Sequence, residues 1–143
     1  MPLKCHENIL LFYSKLPTYN PQFSEGTPYY KEGRIASKCY REHIECITNN
    51  PTGKRYPIDI IKFNIPKVSF GKRADKFHPT QKPVPLLEYL IKTYTNEGET
   101  VLDNCMGSGS TGVACINTNR NFIGMELDEH YFEIAKWRIL GDT

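Results

Sequence analysis

Asp103-Asn104-Cys105-Met106-Gly107-Ser108-Gly109-Ser110-Thr111-Gly112 is the stretch that decides the fold of this 143-residue chain. A short apolar run, Thr100-Val101-Leu102, precedes it, and a run with helical character, Val113-Ala114-Cys115-Ile116, follows. An acidic residue at a strand end, then glycines turning into a helix, is how α/β proteins hold a ligand at the carboxyl edge of a sheet. Glycine suits such a loop because it reaches backbone angles closed to other residues and lets a ligand approach the main chain. Working outward, Phe122–Glu126 reads as the next strand and Glu129–Leu140 as the next helix. Parallel pairing of the two strands, with Thr111–Thr118 as the crossover helix, follows from this alternation.

Two ligands compete for such a loop. Gly107 to Gly112 satisfies G-x-G-x-x-G, and Glu126 lies roughly 20 residues beyond, as a dinucleotide site requires. Asp103 argues the other way. A carboxylate there repels a pyrophosphate but suits a ligand with a cationic amine, such as the methionine part of S-adenosylmethionine. Glu126 fits either, because a carboxylate at a strand end accepts hydrogen bonds from ribose hydroxyls.

Four segments in order then carry a family resemblance. Asp103 to Thr111 resembles the D-P-F-x-G-S-G-T-T loop of DNA methyltransferases that modify adenine N6 or cytosine N4. His78-Pro79-Thr80-Gln81-Lys82-Pro83 matches the H-P-T-Q-K-P motif of the same family. Phe122 to Phe132 is similar to its ribose-binding strand and the following helix, and Cys5 to Tyr13 to the strand before its variable region. Asn104, Cys105 and Ser110 depart from the loop pattern, and Cys105 removes an aromatic ring able to pack on a cofactor.

The resemblance implies an α/β, partial Rossmann-like methyltransferase sheet with a basic irregular insertion. It implies S-adenosylmethionine as cofactor, held by Asp103, Gly107, Ser108, Gly109, Ser110, Thr111 and Glu126. Thr80 and Lys82, just ahead of a helix opening near Pro83, are expected close to the cofactor's carboxylate, and His78 is a weaker site candidate. Residues 1–143 read as one incomplete domain, with 17–77 as a variable DNA-facing region and 78–143 as the cofactor-binding region. DNA is the implied partner, in the setting of restriction-modification, with adenine N6 favoured over cytosine N4.

The family's amino-methylating tetrapeptide, (D/N/S)-P-P-(Y/F/W), does not occur in these residues. Asn20-Pro21-Gln22-Phe23 and Asn50-Pro51-Thr52-Gly53 come nearest, and an Asn-Pro turn is the simpler reading of both. The chain therefore reads as a C-terminal portion of such an enzyme, inactive alone and without an assignable catalytic residue. It is expected to be a remnant or to need a second chain carrying the missing tetrapeptide. The alternative is a non-catalytic DNA-binding module.

Charge supports the DNA-facing region. Between Lys31 and Lys82 stand twelve basic residues against five acids, although the whole chain is only +2. Tyr29, Tyr30, Tyr40 and Tyr56 are interleaved with them, the mixture a phosphate-tracking, base-stacking surface needs. Five cysteines without a C-x-x-C pair suggest reduced thiols and a cytoplasmic protein. Cys39, His43 and Cys46 lack a fourth partner at zinc-binding spacing, so no metal is expected.

Of the remaining segments, Ile9–Tyr13 and Ile58–Ile65 read as strands from their apolar and β-branched content. Pro17 to Pro57 reads as irregular, with a short helix possible over Ile35–Ile47. Leu86, Leu87, Leu90, Ile91 and Tyr94 recur at helical spacing and predict a helix ending near Asn96-Glu97-Gly98. Asp128 is expected to cap the last helix, and Tyr131, Phe132 and Trp137 to lie in the core.

Overall fold

The computed structural model describes residues 6–31, 48–64 and 77–141. The ordered centre is the β-α-β-α run. Strand β3 (Thr100–Asp103) pairs in parallel with β4 (Asn121–Gly124), Thr100 opposite Asn121 and Asp103 opposite Gly124. Helix α2 (Ser110–Asn117) makes the crossover, helix α1 (Val84–Tyr94) precedes β3, and helix α3 (Glu129–Leu140) follows β4. The architecture is α/β and partially Rossmann-like, as expected. A separate antiparallel pair joins β1 (Tyr29–Lys31) to β2 (Thr48–Asn50), and a lone bridge links Ser24 to Arg55.

The core lies between the parallel strands and the helices. Ile91 of α1 and Ala114 and Cys115 of α2 are buried, with Val84, Leu87, Val101 and Phe122 packed against them. Strand alternation turns Val101 and Phe122 inward, so Leu102 and Ile123 point the other way and are exposed. Burial pushes the Cys115 thiol up to about 11, which leaves it a protonated packing group at neutral pH.

The helix ends are secured from a distance. Pro83 and Pro85 occupy the first turn of α1, where a missing N–H costs nothing. At its other end, Asn20 donates its side-chain amide to the carbonyls of Lys92 and Thr95 and to Asn96 Oδ1. Arg120, buried at the start of β4, donates to Thr95 O at 2.8 Å and to Thr95 Oγ1 at 3.1 Å. Asp128 caps α3 as expected, its Oδ1 accepting from Tyr131 N at 3.1 Å.

Several expectations need correction. Ile9–Tyr13 forms no strand, and its side chains are exposed, Phe12 at 85%. Residues 58–64 likewise form none, with Ile58 and Ile60 72% and 75% exposed; Ile65 lies outside the described residues. The helix considered over Ile35–Ile47 also lies outside them. Phe132 and Trp137 are surface-exposed rather than core, because the apolar seam of α3 runs through Ala135 and Ile139 instead. Among the described residues no helix is long and apolar enough to cross a membrane.

The tightest constraint is at the start of α2. Gly109 precedes the helix at φ 76°, and a β-carbon there would lie 2.8 Å from Ala135 Cβ. Gly112 is pressed equally hard against Ile139 and Phe122. Gly109→Ala combines left-handed strain with overpacking and should destabilise the chain by about 1–3 kcal/mol. Thermal melting followed by circular dichroism should register this as a lower midpoint. An unchanged midpoint would show that α3 does not sit where described.

Candidate cofactor site

The loop from Asn104 to Gly109 rises from the carboxyl end of β3, and two carboxylates fasten it. Asp103 Oδ1 accepts from Cys105 N at 3.1 Å, and its Oδ2 accepts from Thr111 Oγ1 at 2.6 Å. One side chain thus ties the beginning of the loop to the first turn of α2. Glu126, just beyond β4, reaches across: its Oε2 accepts from Gly107 N at 2.8 Å. Its Oε1 accepts from Leu127 N and Asp128 N, each at 3.0 Å. The strand ladder continues beneath, with Met125 N donating to Asp103 O and Met106 N to Met125 O. Two acids from adjacent parallel strands therefore converge on one glycine loop.

Their remaining capacity differs. A carboxylate offers about four lone-pair positions. Asp103 has used two, and Glu126 three. Glu126 is held below the usual carboxylate range by its backbone donors, Asp128 N first and Gly107 N next.

The segment 77–82 covers the loop on one side. His78 lies over Gly107, which stands at φ 53°, and meets the Tyr131 ring edge-on at 4.3 Å between centroids. Gln81 Oε1 accepts from Phe77 N at 2.8 Å and from Ser108 Oγ at 3.3 Å. Arg138 of α3 donates Nη1 to Ser108 O, to Ser108 Oγ at 3.0 Å and to Ser110 Oγ at 3.3 Å. Burial pulls its guanidinium below its usual range.

Asp103, Gly107, Ser108, Gly109, Ser110, Thr111 and Glu126 are brought together, but the serines face inward. Ser108 and Ser110 are buried and engaged by Arg138, Gly109 is buried between them, and the loop is exposed at Asn104 and Cys105 and half-buried at Gly107. Thr80 and Lys82 make no hydrogen bond to the loop among those described. Thr80 Oγ1 is 3.0 Å from His78 Nδ1, and Lys82 pairs with Glu7 at 2.6 Å on the surface. Sequence reasoning missed Gln81, Phe77 and Arg138. The hexapeptide flagged Gln81 only as part of a motif, and nothing local marks Arg138, whose contacts are 28 and 30 residues away.

Of the two segments nearest to the missing tetrapeptide, Asn20 has its side-chain amide committed to the end of α1. Asn50 is likewise a turn residue, donating to Lys54 O at 2.8 Å. Of the basic residues, Lys31, Lys54, Arg55, Lys62 and Lys82 are described and the others lie outside, as do Cys39, His43 and Cys46. A concavity of about 510 Å³ on the β1–β2 pair is lined by Thr27, Pro28, Tyr29, Lys31 and Arg55, apart from the glycine loop.

Glu126 makes the loop's geometry pH-dependent. Its folded carboxyl ionises below the ordinary glutamate value, so its hold on the loop is complete above the unfolded value. That hold is lost as pH falls through the folded one. The Gly107 amide resonance should shift with a midpoint below the ordinary glutamate range and lose that titration in Glu126→Gln. A midpoint at or above the ordinary value would contradict the assigned contacts.

The sequence model of a DNA methylase family matches residues 4–137. The type II methyltransferase M.HpaI of Haemophilus parainfluenzae is 34% identical over 136 residues, 94% of this chain and 38% of that protein. M2.DpnII, a type II methyltransferase of Streptococcus pneumoniae, is 43% identical over 74 residues, 50% of this chain and 28% of its own length. Among solved structures, the M1.HpyAVI–SAM complex is 53% identical across 45% of this chain and 33% of that one, with a TM-score of 0.42. The chain thus spans 28–38% of the length of these two curated relatives.

Proposed function

This chain belongs to the DNA methylase family, and on that premise we propose that it binds S-adenosylmethionine at the Gly107–Gly112 loop. In this reading it serves methyl transfer to an exocyclic amine of DNA in the cytoplasm. Adenine N6 is favoured over cytosine N4 on family prevalence. Residues 78–143 serve the cofactor and 17–77 the DNA.

One observation carries the proposal: Asp103 and Glu126, from adjacent parallel strands, both hold the same glycine loop. The donor set fits the cofactor. Asp103 keeps two lone-pair positions for the ammonium of the methionine moiety, and Glu126 keeps one for a ribose hydroxyl. A pyrophosphate would be repelled by the Asp103 carboxylate. Left-handed Gly107 and Gly109 give the loop the backbone angles that its tight turn into α2 requires. When bound, the cofactor supplies a sulfonium methyl group primed for in-line displacement.

These residues hold and orient that group. They do not contain the D/N/S-P-P-Y/F/W tetrapeptide that would accept hydrogen bonds from the amine and stack on the flipped base. We therefore assign the amine-activating residues to polypeptide outside these 143, in the same protein or in a second chain, and expect no methyl transfer without it. Lys31 and Arg55 beside Tyr29 give the DNA-facing region a phosphate- and base-compatible surface.

Calorimetric titration with S-adenosylmethionine should show saturable binding, weakened by about tenfold or more in Asp103→Ala and in Glu126→Ala, since each removes a charge-assisted contact. Transfer of labelled methyl to DNA should be undetectable with these residues alone. DNA binding without cofactor uptake would replace this reading with a non-catalytic DNA-binding module.

A further inference from the structure

We propose that Arg138 is the positioning residue of the cofactor loop, fixing the left-handed Gly107–Gly109 turn from below and locking the 77–82 segment onto it. This deepens the proposed function and rests on that reading for its ligand. The contacts form a closed circuit. Arg138 donates to the Ser108 carbonyl and hydroxyl, Ser108 donates to Gln81 Oε1, Gln81 Oε1 accepts from Phe77 N, and the Phe77 ring lies 4.9 Å from Arg138 Cζ. The same guanidinium nitrogen reaches Ser110 Oγ, so its acceptors flank Gly109 on both sides.

That placement separates positioning from general packing. A side chain at position 109 is already excluded by Ala135, one helical turn before Arg138 on α3. Ala135 sets how near the loop lies, and Arg138 sets which way its amides and carbonyls point. A lysine could replace the charge but not the planar guanidinium, whose Nη1 reaches the serines while its face rests on an aromatic ring. The serines are spent on this circuit and stay buried, so Arg138 acts through the backbone it holds, next to the half-buried Gly107 that Glu126 engages.

The test uses Arg138→Met, Arg138→Lys and Gln81→Met in the full chain, each followed by hydrogen exchange and by S-adenosylmethionine titration. In Arg138→Met the amides of 107–110 should exchange faster while those of α1 and β3 keep their protection. Affinity should fall by about tenfold, and Arg138→Lys should recover part of it. Arg138→Lys and Gln81→Met combined should be less than additive, because both open one circuit. This pair decides the matter if Arg138→Met does not fold. Unchanged protection of the loop amides, or full additivity, would overturn the proposal. If the unmodified chain takes up no S-adenosylmethionine, the functional reading fails, and the exchange data still decide the role of Arg138.

Discussion

Helix α3 can lie against the start of α2 only because positions 109 and 112 carry no β-carbon. The rest of the site depends on that close approach. It brings Ala135 and Ile139 under the loop, sets Tyr131 beside His78, and puts the Arg138 guanidinium within reach of both loop serines. Moving α3 outward by the width of a methyl group would separate these contacts together. Interiors are packed too densely for the space to be refilled without cost. The glycines therefore act twice, once through their backbone angles and once through the volume they leave empty.

Above this packed floor, the two carboxylates serve as structural fasteners with acceptor capacity to spare. A bare acidic pair at neighbouring strand ends would repel itself. Here each charge is met by N–H or O–H donors from the loop and the adjoining chain. For Glu126 that hydrogen bonding stabilises the charged form. The sheet beneath is half clothed: Val101 and Phe122 face helices, whereas Leu102 and Ile123 face outward. Parallel strands are ordinarily covered on both faces, and the apolar outer residues match that habit.

What was legible in the sequence was local. The Asp103 loop, the leucine and isoleucine spacing of α1 and the acid ahead of α3 each announce their element within a few residues, and β3, α2, β4 and α3 appear where read to within one or two positions. Strands at Ile9–Tyr13 and Ile58–Ile65 were misread because β-branched and apolar content reports a preference for a pleated surface, not the presence of a neighbour. The described parts of both find no ladder partner. Arg138 and Gln81 were invisible for the opposite reason. Their significance arises from contacts across 27 to 30 residues, which no window of sequence displays.

Asn20 and Ser24 mark the two ends of a strap. Asn20 is fastened to the end of α1, and Ser24 exchanges backbone hydrogen bonds with Arg55, beyond the tight turn that leaves β2. Only Pro21, Gln22 and Phe23 lie between. Fully drawn out, four such steps reach about 14 Å, so the leash is short. The Ser24–Arg55 bridge is therefore kept within that radius of the end of α1, the helix that leads by way of β3 into the glycine loop.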